Sequence, residues 1–90
     1  MTFGEALIEL KMGNKVARQG WNGKGMWLML VPGTPETNMT GAYASAGIER
    51  CEILPHIDMW TTNASGRRAM LPGWLASQTD ILAEDWEIVE

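Results

Sequence analysis

One cysteine, one histidine, one tyrosine and one phenylalanine are all that a chain of 90 residues has of those types. With Cys51 alone no intrachain disulfide can close, and Cys51 with His56 cannot supply the ligands of a Cys/His zinc site from one chain. No metal and no cofactor are expected. A single histidine next to Pro55 also gives no persuasive Ser-His-Asp or Cys-His arrangement, so His56 reads as structural or exposed. Positive charge is scarce too: seven Lys and Arg against eleven Asp and Glu leave a formal net charge of -4. Long nucleic acid is held by an extended basic surface that releases counterions, and this chain has none to offer. A small anionic ligand is still allowed, because a few local donors outweigh a modest global field. The N-terminus shows no basic segment followed by an apolar run, and no stretch approaches the roughly 18 apolar residues of a membrane span. A cytoplasmic protein without a membrane partner is expected.

What is present is hydrophobic substance of one kind. The composition, 46% hydrophobic and 20% charged, is that of a folded chain rather than a disordered one. Its length suits one domain, residues 1–90, with a thin stability margin as a lone monomer. Five tryptophans and seven methionines make the aromatic surface nearly all indole, a large flat stacking face that carries one donor.

Along the chain, Thr2 with Glu5 forms a capping-box pattern, and Phe3, Ala6, Leu7 and Leu10 follow at the spacing of one apolar helical stripe. These residues predict a helix over residues 3–12, stopped by Gly13 and suited to cover a sheet. Residues 15–18 read as a short strand, and Gly20, Asn22-Gly23 and Gly25 as a turn. Residues 26–31 are apolar without a break, the pattern of a strand buried on both faces. One good helix covers one face, so a neighbouring subunit is expected over the other. Residues 33–50 read as a long variable loop with a helical turn near residues 43–46. Residues 51–62 read as a strand interrupted at Pro55, 63–66 as a turn, and 67–71 as the returning strand. Ser77 with Asp80 predicts a short helix over residues 78–83, and residues 86–89 a closing strand. The class is α+β: a small, mainly antiparallel sheet packed by an N-terminal amphipathic helix and a short C-terminal helix.

Two stretches could carry chemistry. In GWNGKGMWL, residues 20–28, the glycine spacing fits neither a Walker loop nor a dinucleotide fingerprint. A glycine turn with Lys24 as a point charge and Trp21 and Trp27 beside it remains, which reads either as an anion cradle or as a hairpin whose tryptophans are core. In WLASQTDILAEDW, residues 74–86, Ser77, Gln78, Thr79 and Asp80 stand at a helix start. There, free amides and short polar side chains bind phosphate or ribose, or Ser77 and Asp80 simply cap the helix. Trp74, just after Pro72-Gly73, is the indole expected to be partly exposed. Asp58, Asp80, Glu84 and Asp85 follow no spacing diagnostic of an enzyme class, and Glu84, Asp85, Glu87 and Glu90 read as a solvated C-terminal face. Arg67 and Arg68, beside a turn, read as a phosphate clamp or as turn surface.

The opening TFGEALIELKMGNKVARQGWNGKGMWLMLVPG and the closing PGWLASQTDILAEDWEIV resemble the second family of Thoeris anti-defence proteins, small phage and prophage proteins. The resemblance covers both ends of the chain. It implies a protein that is not an enzyme: a sponge that binds cyclic ADP-ribose-type messengers of bacterial TIR-domain immunity, with some members also binding cyclic dinucleotides at separate pockets. It further implies a homotetramer with nucleotide pockets at subunit interfaces. On this resemblance the nucleotide-binding residues are Trp21, Asn22, Lys24 and Met26 from one stretch, with Trp74, Ser77, Gln78, Thr79 and Asp80 from the other, supplied by the same or different chains. A second pocket, if present, is expected at residues 33–50. The alternatives are an enzyme that degrades the messenger and a direct protein inhibitor of an immune effector.

Overall fold

The computed structural model describes residues 1–21 and 25–90. Helix α1, Phe3–Lys11, starts at the capping box read from the sequence: Glu5 N donates to Thr2 Oγ1 (3.2 Å) and Thr2 N donates to Glu5 Oε1 (2.8 Å). Its apolar stripe buries Ala6 and Leu10 against Val16, Leu28 and Trp86, the centre of the core. Fully burying a side chain the size of leucine is worth about 1.5–3 kcal/mol, and among the described residues Ala17 and Asp58 are the other buried ones.

Beneath α1 lies a five-stranded antiparallel sheet in the order β6-β5-β2-β1-β7. Its strands are β1 (Lys15–Arg18), β2 (Trp27–Val31), β5 (His56–Thr62), β6 (Arg68–Pro72) and β7 (Trp86–Val89). A second, two-stranded sheet pairs β3 (Thr34–Asn38) with β4 (Arg50–Ile53), and α2 (Gly41–Ser45) bridges them. Helix α3, Gln78–Leu82, precedes β7 and packs beside α1. The protein is therefore α+β, as its patterning indicates.

Three local expectations need correction. The stretch at residues 33–50 is no plain loop but most of a β3-α2-β4 arm. Every residue of β3 is exposed, so no apolar alternation announced the strand. Pro55 does more than interrupt one strand: β4 and β5 on either side of it belong to different sheets. At the arm's root Gly33 has φ +88°, and a Cβ there would lie 2.5 Å from the Ile53 carbonyl oxygen, so only glycine lets the two arm segments cross this closely. Third, β2 is not buried on both faces in the single chain. Leu28 is fully buried under α1, while Trp27, Met29, Leu30 and Val31 are half-buried. On the sheet face away from α1, Trp27 stacks on Trp60 across the β2–β5 pair (5.9 Å, 26°), with the Lys15 ammonium 4.9 Å from the Trp27 ring centroid.

Candidate functional site: a tryptophan cluster tied to an arginine and two carboxylates

Four aromatic rings from four parts of the chain meet at one end of the sheet. Trp86, from β7, is buried and lies 5.3 Å from Trp21, 5.4 Å from Phe3 and 6.2 Å from Trp74. Trp21 and Trp74 also meet edge to face at 6.4 Å, and both are half-buried. Such tilted and edge-on contacts match the positive edge of one ring to the negative face of the next.

Each half-buried indole is brought there by hydrogen bonds. Where the chain leaves edge strand β6, Trp74 N donates to the Ile57 carbonyl (2.7 Å) and Gly73 N to Asp58 Oδ1 (3.0 Å). Asp58 is the buried carboxylate of β5, with His56 Nε2 at 3.5 Å. Trp21 is held by its ring nitrogen: Nε1 donates to Asp80 Oδ1 (3.2 Å). The same oxygen accepts from Arg18 Nη1 (2.9 Å), while Arg18 Nε donates to Asp85 Oδ1 (2.8 Å) and Gly20 N to Asp85 Oδ2 (2.8 Å). Asp80 Oδ2 accepts from Ser77 N, Ser77 Oγ accepts from Asp80 N, and the Asp80 carbonyl accepts from Trp86 Nε1 (3.0 Å). One aspartate thus joins β1, the β1–β2 connection, α3 and β7.

Charge follows this geometry. Burial pushes the Asp80 carboxyl up, but hydrogen bonds from Arg18, Ser77 and Trp21 together outweigh it and hold the group below the usual aspartate value. The Arg18 hydrogen bond likewise holds Asp85 down, and the two carboxylates raise the Arg18 guanidinium, Asp85 contributing more. Both carboxylates are ionised at neutral pH, and neither has a proton to give as a general acid.

Of the residues expected to bind a nucleotide, Trp21, Trp74, Ser77 and Asp80 converge within one chain. Gln78 and Thr79 are exposed on the first turn of α3, where a helix has no internal acceptor for its amides. Met26 is half-buried just before β2. Asn22 and Lys24 lie outside the described residues. Ser77 and Asp80 do form the capping box, so this reading of the helix start holds for both. Sequence reasoning missed Arg18, and it placed Asp85 on a solvated face where the structure ties it to Arg18 and Gly20. Contacts 62 and 67 residues apart leave no signal in one sequence.

A model of the Thoeris anti-defense 2-like domain matches residues 1–89. The Thoeris anti-defense 2 protein of Bacillus phage SP01 is 39% identical over 89 residues, covering 99% of this chain and 94% of that protein. The chain belongs to the Thoeris anti-defense 2-like family. The match runs through the arm as well as both tryptophan stretches, and it places the chain among phage anti-defence proteins. In this family member no helix among the described residues is long and apolar enough to cross a membrane. A concavity of about 340 Å³ sits away from the tryptophans, at the root of the arm between Pro32, Gly33, Pro35 and Glu52, Ile53, Pro55.

Proposed function

We propose that this chain is a nucleotide sponge: it sequesters a small cyclic nucleotide of the cyclic ADP-ribose type, without cleaving it, and so keeps the messenger from an immune effector. The observation that carries the reading is the meeting of Trp21 and Trp74, half-exposed, beside the first turn of α3. Two fixed indoles offer stacking faces to a base, worth about 1–3 kcal/mol per base, and the exposed Gln78 and Thr79 offer polar contacts to ribose and phosphate. Asp80 holds Trp21 by its ring nitrogen and so orients one stacking face. Ionised Asp80 and Asp85, locked to Arg18, suit a holder better than a hydrolase. Asn22, Lys24 and Met26 complete the set from the β1–β2 connection.

The assembly belongs to the same proposal: a homotetramer in which neighbouring chains cover the Trp27–Trp60 face and the arm. A two-stranded hairpin is at best marginally stable in water, and this one leaves Tyr43 and Ile48 exposed in the single chain. A second ligand, a cyclic dinucleotide, is assigned under the same proposal to a separate pocket formed by the arm.

The test is to incubate the protein with the product of a TIR-domain enzyme, remove free ligand, denature by heat and analyse what is released. Intact nucleotide supports sequestration. Altered nucleotide points to an enzyme, and no nucleotide to direct inhibition of an effector.

A further inference from the structure

Among the described residues the β1–β2 connection is tied down at both ends, and the tie at its end lies outside the network around Asp80. At its start, Gly20 N is bonded to Asp85 and Trp21 Nε1 to Asp80. At its end, Arg68 of β6 donates from Nη2 to the Gly25 carbonyl at 2.6 Å. The same guanidinium donates from Nη1 to Thr62 Oγ1 (2.9 Å) and lies 5.1 Å from the Trp60 ring centroid. Trp60 in turn stacks on Trp27, the first residue of β2. Gly25 has φ +72°, and a Cβ there would stand 3.1 Å from Arg68 Nη2, so the contact is shaped on both sides: a glycine that leaves room and a fork that fills it.

From this geometry we infer that Arg68 is a positioning residue for the ligand site, a latch that fixes the end of the segment bearing Trp21 and Met26. The part concerning ligand rests on the sequestration reading. Arginine suits the task because its planar fork bonds two acceptors in different directions while lying over an indole, whereas the lysine ammonium is a single point charge. The latch also links the site to the Trp27–Trp60 face.

The experiment uses the full chain, with hydrogen exchange at the Gly25, Met26 and Trp27 amides measured without ligand and cyclic ADP-ribose as the binding probe. Arg68→Ala is expected to speed exchange at these amides about tenfold or more, the scale of losing a charged hydrogen bond, while α1 amides exchange as before. Affinity for the probe falls by a similar factor. Arg68→Lys recovers part of both, and Arg67→Ala, in the same hairpin, changes neither. Unchanged exchange in a folded Arg68→Ala variant overturns the latch, and Arg68→Lys answers the question if the alanine variant does not fold. Faster exchange with unchanged affinity overturns its role in binding. A wild-type protein that fails to retain any TIR-generated nucleotide, cyclic ADP-ribose included, sinks the sequestration reading instead, and the exchange data then judge the latch alone.

Discussion

Replacing Asp80 by Asn removes the charge on which β1, the β1–β2 connection and α3 converge while keeping the shape of the side chain. The Asp80 side chain is only 13% exposed, so solvent screens its contacts weakly. Hydrogen bonds to a charged group contribute about 1.5–3 kcal/mol net. An asparagine oxygen turned toward Arg18 and Trp21 leaves its NH2 facing the Ser77 amide, donor against donor, and losing this half of the capping box costs about 1 kcal/mol more. The sum, roughly 2–4 kcal/mol, is a large share of the stability of a domain this size. At 4–8 °C per kcal/mol, the variant is expected to melt about 10–30 °C below wild type near pH 7, read by circular dichroism. Acid supplies the control. The folded-state pKa values of Asp80 and Asp85 are lowered. Their contribution is therefore present above the unfolded aspartate value of about 3.9 and is lost as pH falls through the folded values. Wild type loses both shares in acid and Asp80→Asn only that of Asp85, so the gap between them narrows toward about pH 3. A variant melting within about 2 °C of wild type near pH 7, or a gap that does not narrow in acid, refutes the reasoning.

Trp74→Ala is expected to weaken nucleotide binding about tenfold or more by calorimetry, and unchanged affinity in a folded variant removes Trp74 from the site. Light scattering should give the mass of an oligomer, four chains on the present reading, and the mass of one chain would sink the argument from the uncovered β2 face. Binding should depend only weakly on salt between about 50 and 200 mM, in contrast to the steep loss seen where many phosphates are neutralised.

What the sequence made legible was whatever local chemistry decides. Thr2 and Glu5, and again Ser77 and Asp80, announce their capping boxes because both partners lie within one turn. Residues 15–18 read as a strand and became β1, and Trp74 was read as partly exposed and is half-buried. The arm stayed hidden because β3 carries only exposed side chains, so nothing alternates. The frame of the site stayed hidden for a different reason: Arg18, Asp58, Arg68 and Asp85 act through partners that only folding brings near. Asp85 is the instructive case, since a carboxylate between Glu84 and Trp86 looks like solvated surface until Arg18 arrives from β1.

On the sequestration proposal, how an acidic chain attracts an anionic ligand depends on what its cations already do. Arg18 is shared by two carboxylates, Arg50 is paired with Glu36 in the arm, Lys15 lies over Trp27, and Arg68 is engaged with Gly25, Thr62 and Trp60. A charge already neutralised or bonded at close range adds little to the field at a second anion. With these four cations engaged, stacking and hydrogen bonds carry more of the proposed binding than their Coulomb attraction does. Those contacts reward rigidity, because an indole already fixed by Asp80 or by the Ile57 carbonyl loses little freedom when a base arrives. On this view the Arg18 network, although it puts no positive charge on the ligand, contributes to the proposed binding by keeping Trp21 still before a base arrives.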